Sequence, residues 1–282
     1  MTVQTRPLQP TVGAEIVGID LADTVDDAAF AAIKKAWLER SILLFRNQHR
    51  LSHEQHIAFS KRFGDLEVFT LRQYTHKDFP TLFVISNLTS EDGKPIGAQV
   101  SPIWHTDSQF LEQPSMASLL LAKEVPNIGA DTLFASMFSV YDALPEATRK
   151  KIDKLQVSHS RIRAYPSNYP DRPPLTEEEK ARVPDVTHPL VRTHPWNGRK
   201  ALYIGDSTAP EVIGMPKAES DKLIRELLAF ATQDRFVYRH KWQVGDAILW
   251  DNRSAIHCAT PYDAKTERRL MYRTTIVGDR PH

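Results

Sequence analysis

Short apolar segments separated by turn residues dominate the hydrophobic pattern, and they predict a protein built mainly of strands. The predicted strands cover residues 42–45, 82–86, 118–122, 189–193, 201–204, 247–250 and 270–277. They do not alternate with helices, which argues against a doubly wound parallel sheet. The pattern favours a β-sandwich or a jelly roll with helices around it.

Helical spacing of apolar residues occurs in a few longer segments. The predicted helices cover residues 26–40, 52–63, 140–155 and 217–232. In the second of them, Ser52 and Gln55 match a capping box. Ile57 and Phe63 of the same helix are predicted to be buried.

One polar stretch, residues 165–184, is rich in proline and charged residues. We interpret it as an insertion with a short helix over 176–182; a domain linker is the alternative. An insertion is favoured because strand-like segments lie on both sides and neither half of the chain has a complete site. The sequence therefore predicts one domain over residues 1–282.

Composition excludes several classes of protein. The chain has 36 Lys and Arg against 35 Asp and Glu, which gives no support for nucleic-acid binding. No apolar run reaches the roughly 18 residues of a membrane span, and residues 1–7 lack a signal-peptide pattern. The single cysteine, Cys258, excludes a disulfide framework, and we interpret it as a small packing residue. These features predict a soluble, cytoplasmic protein without a membrane partner.

Two of the 11 histidines are followed by a carboxylate two positions later. On a strand, such residues share a face and can direct a nitrogen and an oxygen at one point. His76 and Asp78 precede Pro80, which suits a central strand poorly, so we interpret this pair as a solvated loop. His105 and Asp107 lie among bulky residues and are the better metal candidate. A buried histidine bonded to a carboxylate explains their spacing equally well.

A third metal ligand is available at His257, just beyond an apolar strand. Two histidines and one carboxylate form the facial triad of non-haem Fe(II) oxygenases. The same three residues could hold zinc, with water in the fourth position of a hydrolase. The residues alone leave both alternatives open.

The C-terminal segment 268–276 has a strand pattern in which Arg269 and Arg273 share one face. If the opposite face packs beneath a helix, these two arginines face the interior. Two buried guanidinium groups need anionic partners, which a dicarboxylate cosubstrate would supply through paired hydrogen bonds. Two surface arginines on an exposed strand are the alternative.

Several motifs follow one another in a fixed order along nearly the whole chain. They are the segments 13–21, 43–48, 59–67, 104–107, 129–134 and 250–253, followed by Arg268, Arg269 and Arg273. Together they resemble the TauD/TfdA family of Fe(II)- and 2-oxoglutarate-dependent dioxygenases. The resemblance implies a double-stranded β-helix, a cupin-like jelly roll that is mainly β with flanking helices. It also implies a homo-oligomer, which we expect to be a dimer.

The resemblance further implies roles for individual residues. It assigns Fe(II) binding to three of them, His105, Asp107 and His257. Thr132 would bond a carboxylate of 2-oxoglutarate and Arg269 would bind its distal carboxylate. Arg273 would point toward the cosubstrate and the substrate anion. The interval from His257 to the arginine pair is one residue longer than expected, so Arg268 is the alternative to Arg269.

The implied reaction is hydroxylation with release of succinate and CO2 from 2-oxoglutarate and O2. An aspartate at position 107 argues against halogenation, because related iron halogenases have a small residue in its place. If the hydroxylated carbon carries an ether oxygen or a sulfonate, the product would collapse to a carbonyl compound.

The substrate is expected to be a small organic anion, and an aryloxyalkanoate-like carboxylate is favoured. Phe69 and Arg72 stand where taurine-type enzymes have histidine and tyrosine, and Ser101 replaces an asparagine. The segments 189–194, 198–200 and 236–242 resemble the phenoxyacetate-type members. Arg72 would bind the substrate carboxylate, and Phe69, Phe110 and Tyr165 would form an aromatic wall. Loop exposure and ordinary packing are the alternatives for these residues.

Three other functions stay open at this point. The first is a dioxygenase for alkylsulfonates or alkyl sulfates. The second is a zinc hydrolase with the same three ligands, which would not need Thr132 or the paired arginines. The third is a non-catalytic, anion-binding jelly roll.

Overall fold

The computed structural model describes residues 3–68, 72–98, 101–170 and 173–282. Its strands are β1 Gln4–Pro7, β2 Ala14–Val17, β3 Ile42–Phe45, β4 Phe83–Ser86, β5 Ala117–Glu124, β6 Thr132–Ser136, β7 Gln156–His159, β8 Val186–Pro189, β9 Val191–Thr193, β10 Lys200–Leu202, β11 Glu211–Val212, β12 Val237–His240, β13 Ala247–Asp251, β14 Ala255–Ala259 and β15 Leu270–Ile276. Its α-helices are α1 Asp27–Arg40, α2 His53–Lys61, α3 Met137–Ala143, α4 Glu146–Ile152, α5 Arg161–Asn168, α6 Glu177–Ala181 and α7 Lys217–Ala231.

Two sheets enclose the interior. The larger has seven strands in the order β1-β2-β3-β13-β5-β15-β4, and the smaller has the order β12-β6-β14. Leu120, Ile248 and Met271 of the large sheet join Phe134 and Ala255 of the small sheet in one buried cluster. The side chains between the sheets therefore line a jelly-roll interior, as a mainly β fold with flanking helices predicts.

Helices cover the outer faces of both sheets. On the large sheet, Trp37 of α1 and Phe59 of α2 pack with Leu119 and Leu249. On the small sheet, Phe138 of α3 and Leu227 of α7 join the cluster that contains Ile256. None of the helices in the described ranges has the length and apolar character that a membrane crossing requires.

Three of the four longer predicted helices, 26–40, 52–63 and 217–232, match α1, α2 and α7, and the fourth was predicted too long. Ser52 and Gln55 form the capping box of α2, and the helix buries His56, Phe59 and Ser60, whereas Ile57 is only partly buried. The predicted helix 140–155 is wrong as one element, because it is divided between α3 and α4. Pro145 lacks an N–H and forces the preceding residue out of helical geometry, which ends α3 there.

The three strands of the small sheet were not predicted from the sequence. Its strands β6, β12 and β14 mix polar and apolar residues, because their inward face carries part of the site and their outward face packs on helices. The predicted strand 189–193 is also divided, between β8 and β9. Helix α5 was not predicted; α6, capped by Thr176, matches the short helix expected at 176–182.

Candidate active site

The three predicted metal ligands converge between the sheets. One donor atom from each of His105, Asp107 and His257 lies within 4.8 Å of the others. The Nε2 atoms of both histidines are 4.0 Å from Oδ1 of Asp107. His257 lies on β14, and the His105 backbone pairs with it through two hydrogen bonds of 2.9 and 2.8 Å.

The element that carries His105 and Asp107 differs from the prediction. His105 makes only an isolated bridge, and the chain enters a turn at Asp107 rather than continuing as a strand. The turn is fixed to β13 by Asn252, whose Oδ1 accepts from the Asp107 N–H at 3.2 Å and from Trp250 Nε1 at 2.9 Å. This turn, and not strand alternation, places both donors on one side.

Both histidines present a neutral nitrogen to the site. Burial lowers the pKa of His257 to about 3 and also lowers the pKa of His105. The carbonyl of Ile103 lies 2.7 Å from His105 Nδ1, so this nitrogen carries the proton and Nε2 keeps its lone pair. The His257 ring packs against Phe134 and Trp250, which fixes its orientation.

Asp107 is a buried carboxylate that stays ionised. Burial alone would raise its pKa, but the Arg273 guanidinium, with the hydrogen bond from Ser118, outweighs burial and holds the pKa well below its usual range. Arg273 donates to Oδ1 at 2.9 Å, and Ser118 on β5 donates to Oδ2 at 2.8 Å. The residues therefore offer two neutral imidazoles and one carboxylate to a divalent cation.

The turn after β13 is held by a buried ion pair. Arg253 donates to both carboxylate oxygens of Asp251 at 2.8 Å, and His194 Nε2 lies 3.0 Å from Oδ2. Burial would raise the pKa of Asp251, but Arg253 lowers it below its usual range. This ion pair fixes the backbone on both sides of Asn252. Asn252 then holds the turn that carries Asp107.

The two candidate arginines at the start of β15 have different environments. Arg269 is only 2% exposed, and its Nε and Nη1 atoms are buried without a hydrogen-bond partner in the described ranges. Burial lowers its pKa to about 10, so it is a cation at neutral pH. Arg268 lies on the surface, where it pairs with Glu124. The buried guanidinium that calls for an anionic ligand is therefore that of Arg269.

Thr132 lies on the inward face of β6 and is buried. Its hydroxyl oxygen accepts a hydrogen bond from Trp242 Nε1 at 2.9 Å, which leaves its own O–H to act as a donor. The Trp242 ring packs edge-on against His240 at 4.5 Å, and His240 Nε2 lies 3.0 Å from Asp246 Oδ2. Trp242 fixes the direction in which Thr132 can donate, and this role was not predicted from the sequence.

Of the predicted substrate-binding residues, only some have side chains that the structure describes. Phe69 lies outside the described residues, and Arg72 begins a 3₁₀ turn in which its side chain is not described. Ser101 is partly buried, and its carbonyl accepts from the Ala259 N–H at 2.9 Å. Phe110 is partly buried beneath the Arg161 guanidinium, 4.9 Å from the ring centroid.

Other aromatic residues lie close to the site. Phe83 packs under the Arg273 guanidinium at 5.2 Å, and the Tyr74 ring lies 6.2 Å from Phe83. Tyr165 of α5 packs against Tyr169, just beyond the end of that helix. The wall beside Arg273 therefore includes Phe83 and Tyr74, which the sequence did not indicate.

Two residues outside the site complete the comparison with the sequence. His76 and Asp78 lie in a loop as predicted and Asp78 is exposed, but His76 is partly buried and packs against His53 and Tyr272. Cys258 is buried, and burial raises the pKa of its thiol to about 11. The thiol therefore stays protonated and uncharged, in keeping with a packing residue.

Comparison with known proteins decides the family. The sequence profile described as "Taurine catabolism dioxygenase TauD, TfdA family" matches residues 4–275. This chain belongs to the TauD/TfdA family. The family predicted from the motifs is therefore confirmed.

Relatives within the TauD/TfdA family align over almost the full chain. The alpha-ketoglutarate-dependent 2,4-dichlorophenoxyacetate dioxygenase of Cupriavidus pinatubonensis is 37% identical over 98% of this chain and 98% of its own length. The (S)-phenoxypropionate/alpha-ketoglutarate-dioxygenase of Sphingobium herbicidovorans is 36% identical over 97% of this chain and 94% of its own length. The solved structure of AAD-2 in complex with Mn(II) and N-oxalylglycine has a TM-score of 0.85 at 33% identity, covering 100% of this chain and 99% of that chain.

Proposed function

We propose that this 2-oxoglutarate-dependent dioxygenase uses Fe(II) and O2 to hydroxylate a small aryloxyalkanoate-like carboxylate. One oxygen atom of O2 enters a substrate C–H bond, and the other enters 2-oxoglutarate, which leaves as succinate and CO2. If the hydroxylated carbon also carries an ether oxygen, the product collapses to a carbonyl compound and an aryl alcohol. The convergence of His105, Asp107 and His257 within 4.8 Å carries the proposal.

The donor set fits Fe(II). Two neutral imidazoles and one ionised carboxylate form a facial triad, which leaves positions open for cosubstrate and oxygen. When bound, the ion supplies the activation of O2. The Ile103 carbonyl holds His105 in place, and Ser118 and Asn252 hold Asp107. The Phe134 and Trp250 rings hold His257 in place.

A dicarboxylate cosubstrate fits the remaining interior groups. Arg269 is a buried cation without an anionic partner among the described residues, and 2-oxoglutarate would supply one through its distal carboxylate. Thr132 would donate its hydroxyl hydrogen to the same cosubstrate. A zinc hydrolase would have no use for either residue, so they favour the dioxygenase over that alternative.

The substrate class rests on Arg273 and its neighbours. Its guanidinium faces the metal ligands and lies on the Phe83 ring, with Tyr74 beyond. A cation beside two aromatic rings suits a carboxylate attached to an aryl ether. The two relatives named for phenoxyalkanoates support the same class. A homodimer and a cytoplasmic location stay predictions.

Succinate formation across a substrate panel tests the function. Reactions with Fe(II), ascorbate, 2-oxoglutarate and O2 would receive aryloxyalkanoates, alkylsulfonates, alkyl sulfates or no addition. We expect aryloxyalkanoates to stimulate succinate formation. Stimulation only by an alkylsulfonate or an alkyl sulfate would show that the substrate is a sulfonate or a sulfate ester instead. No succinate in any reaction, with iron bound, would refute the dioxygenase and favour zinc hydrolysis or a non-catalytic protein. A weak visible charge-transfer band with Fe(II) and 2-oxoglutarate under anaerobic conditions is the independent readout.

The hydroxyl of Thr132 provides a second test. Thr132→Val should raise the KM for 2-oxoglutarate by about 10- to 100-fold, the range for a hydrogen bond to a charged group. Trp242→Phe keeps the ring that packs on His240 but removes the donor to Thr132, so we expect a smaller rise of about 2- to 10-fold. Thr132→Ser is the control and should behave like the wild type. Unchanged 2-oxoglutarate kinetics in Thr132→Val would contradict the assignment.

A further inference from the structure

Ser118 is a fully buried serine whose hydroxyl reaches the predicted metal centre. It lies on β5, between β13 and β15 in the large sheet, where both neighbours fix its backbone. Its Oγ donates to Oδ2 of Asp107 at 2.8 Å. The other carboxylate oxygen, Oδ1, is the one 4.0 Å from both histidine Nε2 atoms. The two oxygens of Asp107 therefore have distinct surroundings.

A carboxylate can bind a cation through one oxygen or through both. A six-coordinate ion held by three protein atoms keeps about three positions for cosubstrate and O2. If Asp107 bound through both oxygens, one of these positions would be lost. A charge-assisted hydrogen bond to Oδ2 opposes that change, because bidentate binding would have to break or weaken it.

We propose that Ser118 is a positioning residue that keeps Asp107 bound through Oδ1 alone, and so preserves a coordination position. This inference rests on the proposed Fe(II) function. Arg273 does not hold Oδ2 away from the metal, because it donates to Oδ1, the oxygen that faces the histidines. In the described ranges, Ser118 supplies the hydrogen bond to Oδ2.

The Ser118→Ala variant tests the proposal through the metal itself. The number of water molecules on bound Mn(II) can be measured by water-proton relaxation, without cosubstrate or turnover. We expect about three waters in the wild type and about one fewer in Ser118→Ala. In the Fe(II) enzyme, the variant should bind 2-oxoglutarate but hydroxylate less substrate per succinate formed. Loss of a group that orients a metal ligand costs about 10- to 100-fold in activity.

Ser60→Ala is the matched control. Ser60 is equally buried, but it lies on α2, outside the large sheet, where its hydroxyl contacts the His56 carbonyl and Thr274. The control should keep both the Mn(II) water count and the coupling ratio. An unchanged water count in Ser118→Ala, or an equal change in both variants, would overturn the proposal. Absence of succinate from the wild type would refute the function instead, while the Mn(II) measurement would still test Ser118.

Discussion

The His105→Ala variant should lose metal-dependent turnover, by on the order of 10³-fold or more, because one of three metal ligands is removed. Its Nε2 lies 4.0 Å from Oδ1 of Asp107 in the donor cluster. Alanine leaves one imidazole and one carboxylate, which cannot hold the ion in a facial arrangement. Fe(II) or Mn(II) titration should show weaker binding, and succinate formation should fall to the level without enzyme.

His76→Ala is the control for this prediction. His76 also precedes an aspartate by two positions, but it packs against His53 and Tyr272 and is not part of the donor cluster. This variant should keep its metal affinity and its turnover. Retention of activity in His105→Ala, or its loss in His76→Ala, would show that the metal site was assigned to the wrong pair.

The metal ligands could be predicted because their chemistry restricts residue type. Only two of the 11 histidines have a carboxylate two positions later, and His105 lies among bulky residues whereas Pro80 follows the His76 pair. The prediction chose the right residues for a partly wrong reason, since Asp107 lies on a turn that Asn252 holds. A turn braced from a distant strand leaves no periodic signal, so its geometry appears only in three dimensions.

Other parts of the site could not be read from the sequence. Strand β6 brings Thr132 inside, but its alternation is hidden because helices pack on its other face. Ser118 and Trp242 are ordinary residues for a strand and a loop, and their roles depend on partners more than 10 positions away. The choice of Arg269 over Arg268 is decided by the burial of Arg269 and the surface ion pair of Arg268, which the sequence does not show.

Because Arg269 is buried and Arg268 lies on the surface, their substitution should affect 2-oxoglutarate binding very differently. Arg269→Ala should raise the KM for 2-oxoglutarate by about 30-fold or more, since truncating one side of a buried charge pair costs about 2–5 kcal/mol. The KM for the organic substrate should change far less, because Arg273 and not Arg269 faces the metal ligands. Arg269→Lys keeps the charge but loses the paired hydrogen bonds, so its KM for 2-oxoglutarate should lie between those of the wild type and Arg269→Ala.

Arg268→Ala removes a neighbouring arginine from the surface, where it pairs with Glu124, and should leave 2-oxoglutarate kinetics unchanged. If Arg268→Ala raised the KM for 2-oxoglutarate and Arg269→Ala did not, the assignment would be wrong by one residue.

Thermal melting separates an effect of Arg269→Ala on ligand binding from an effect on folding. Arg269 is a buried cation without an anionic partner in the described ranges, so alanine removes a desolvation cost and should not markedly lower the melting temperature without ligand. The rise in melting temperature that 2-oxoglutarate gives the metal-loaded wild type should be lost in Arg269→Ala, because a ligand stabilises only the state that binds it.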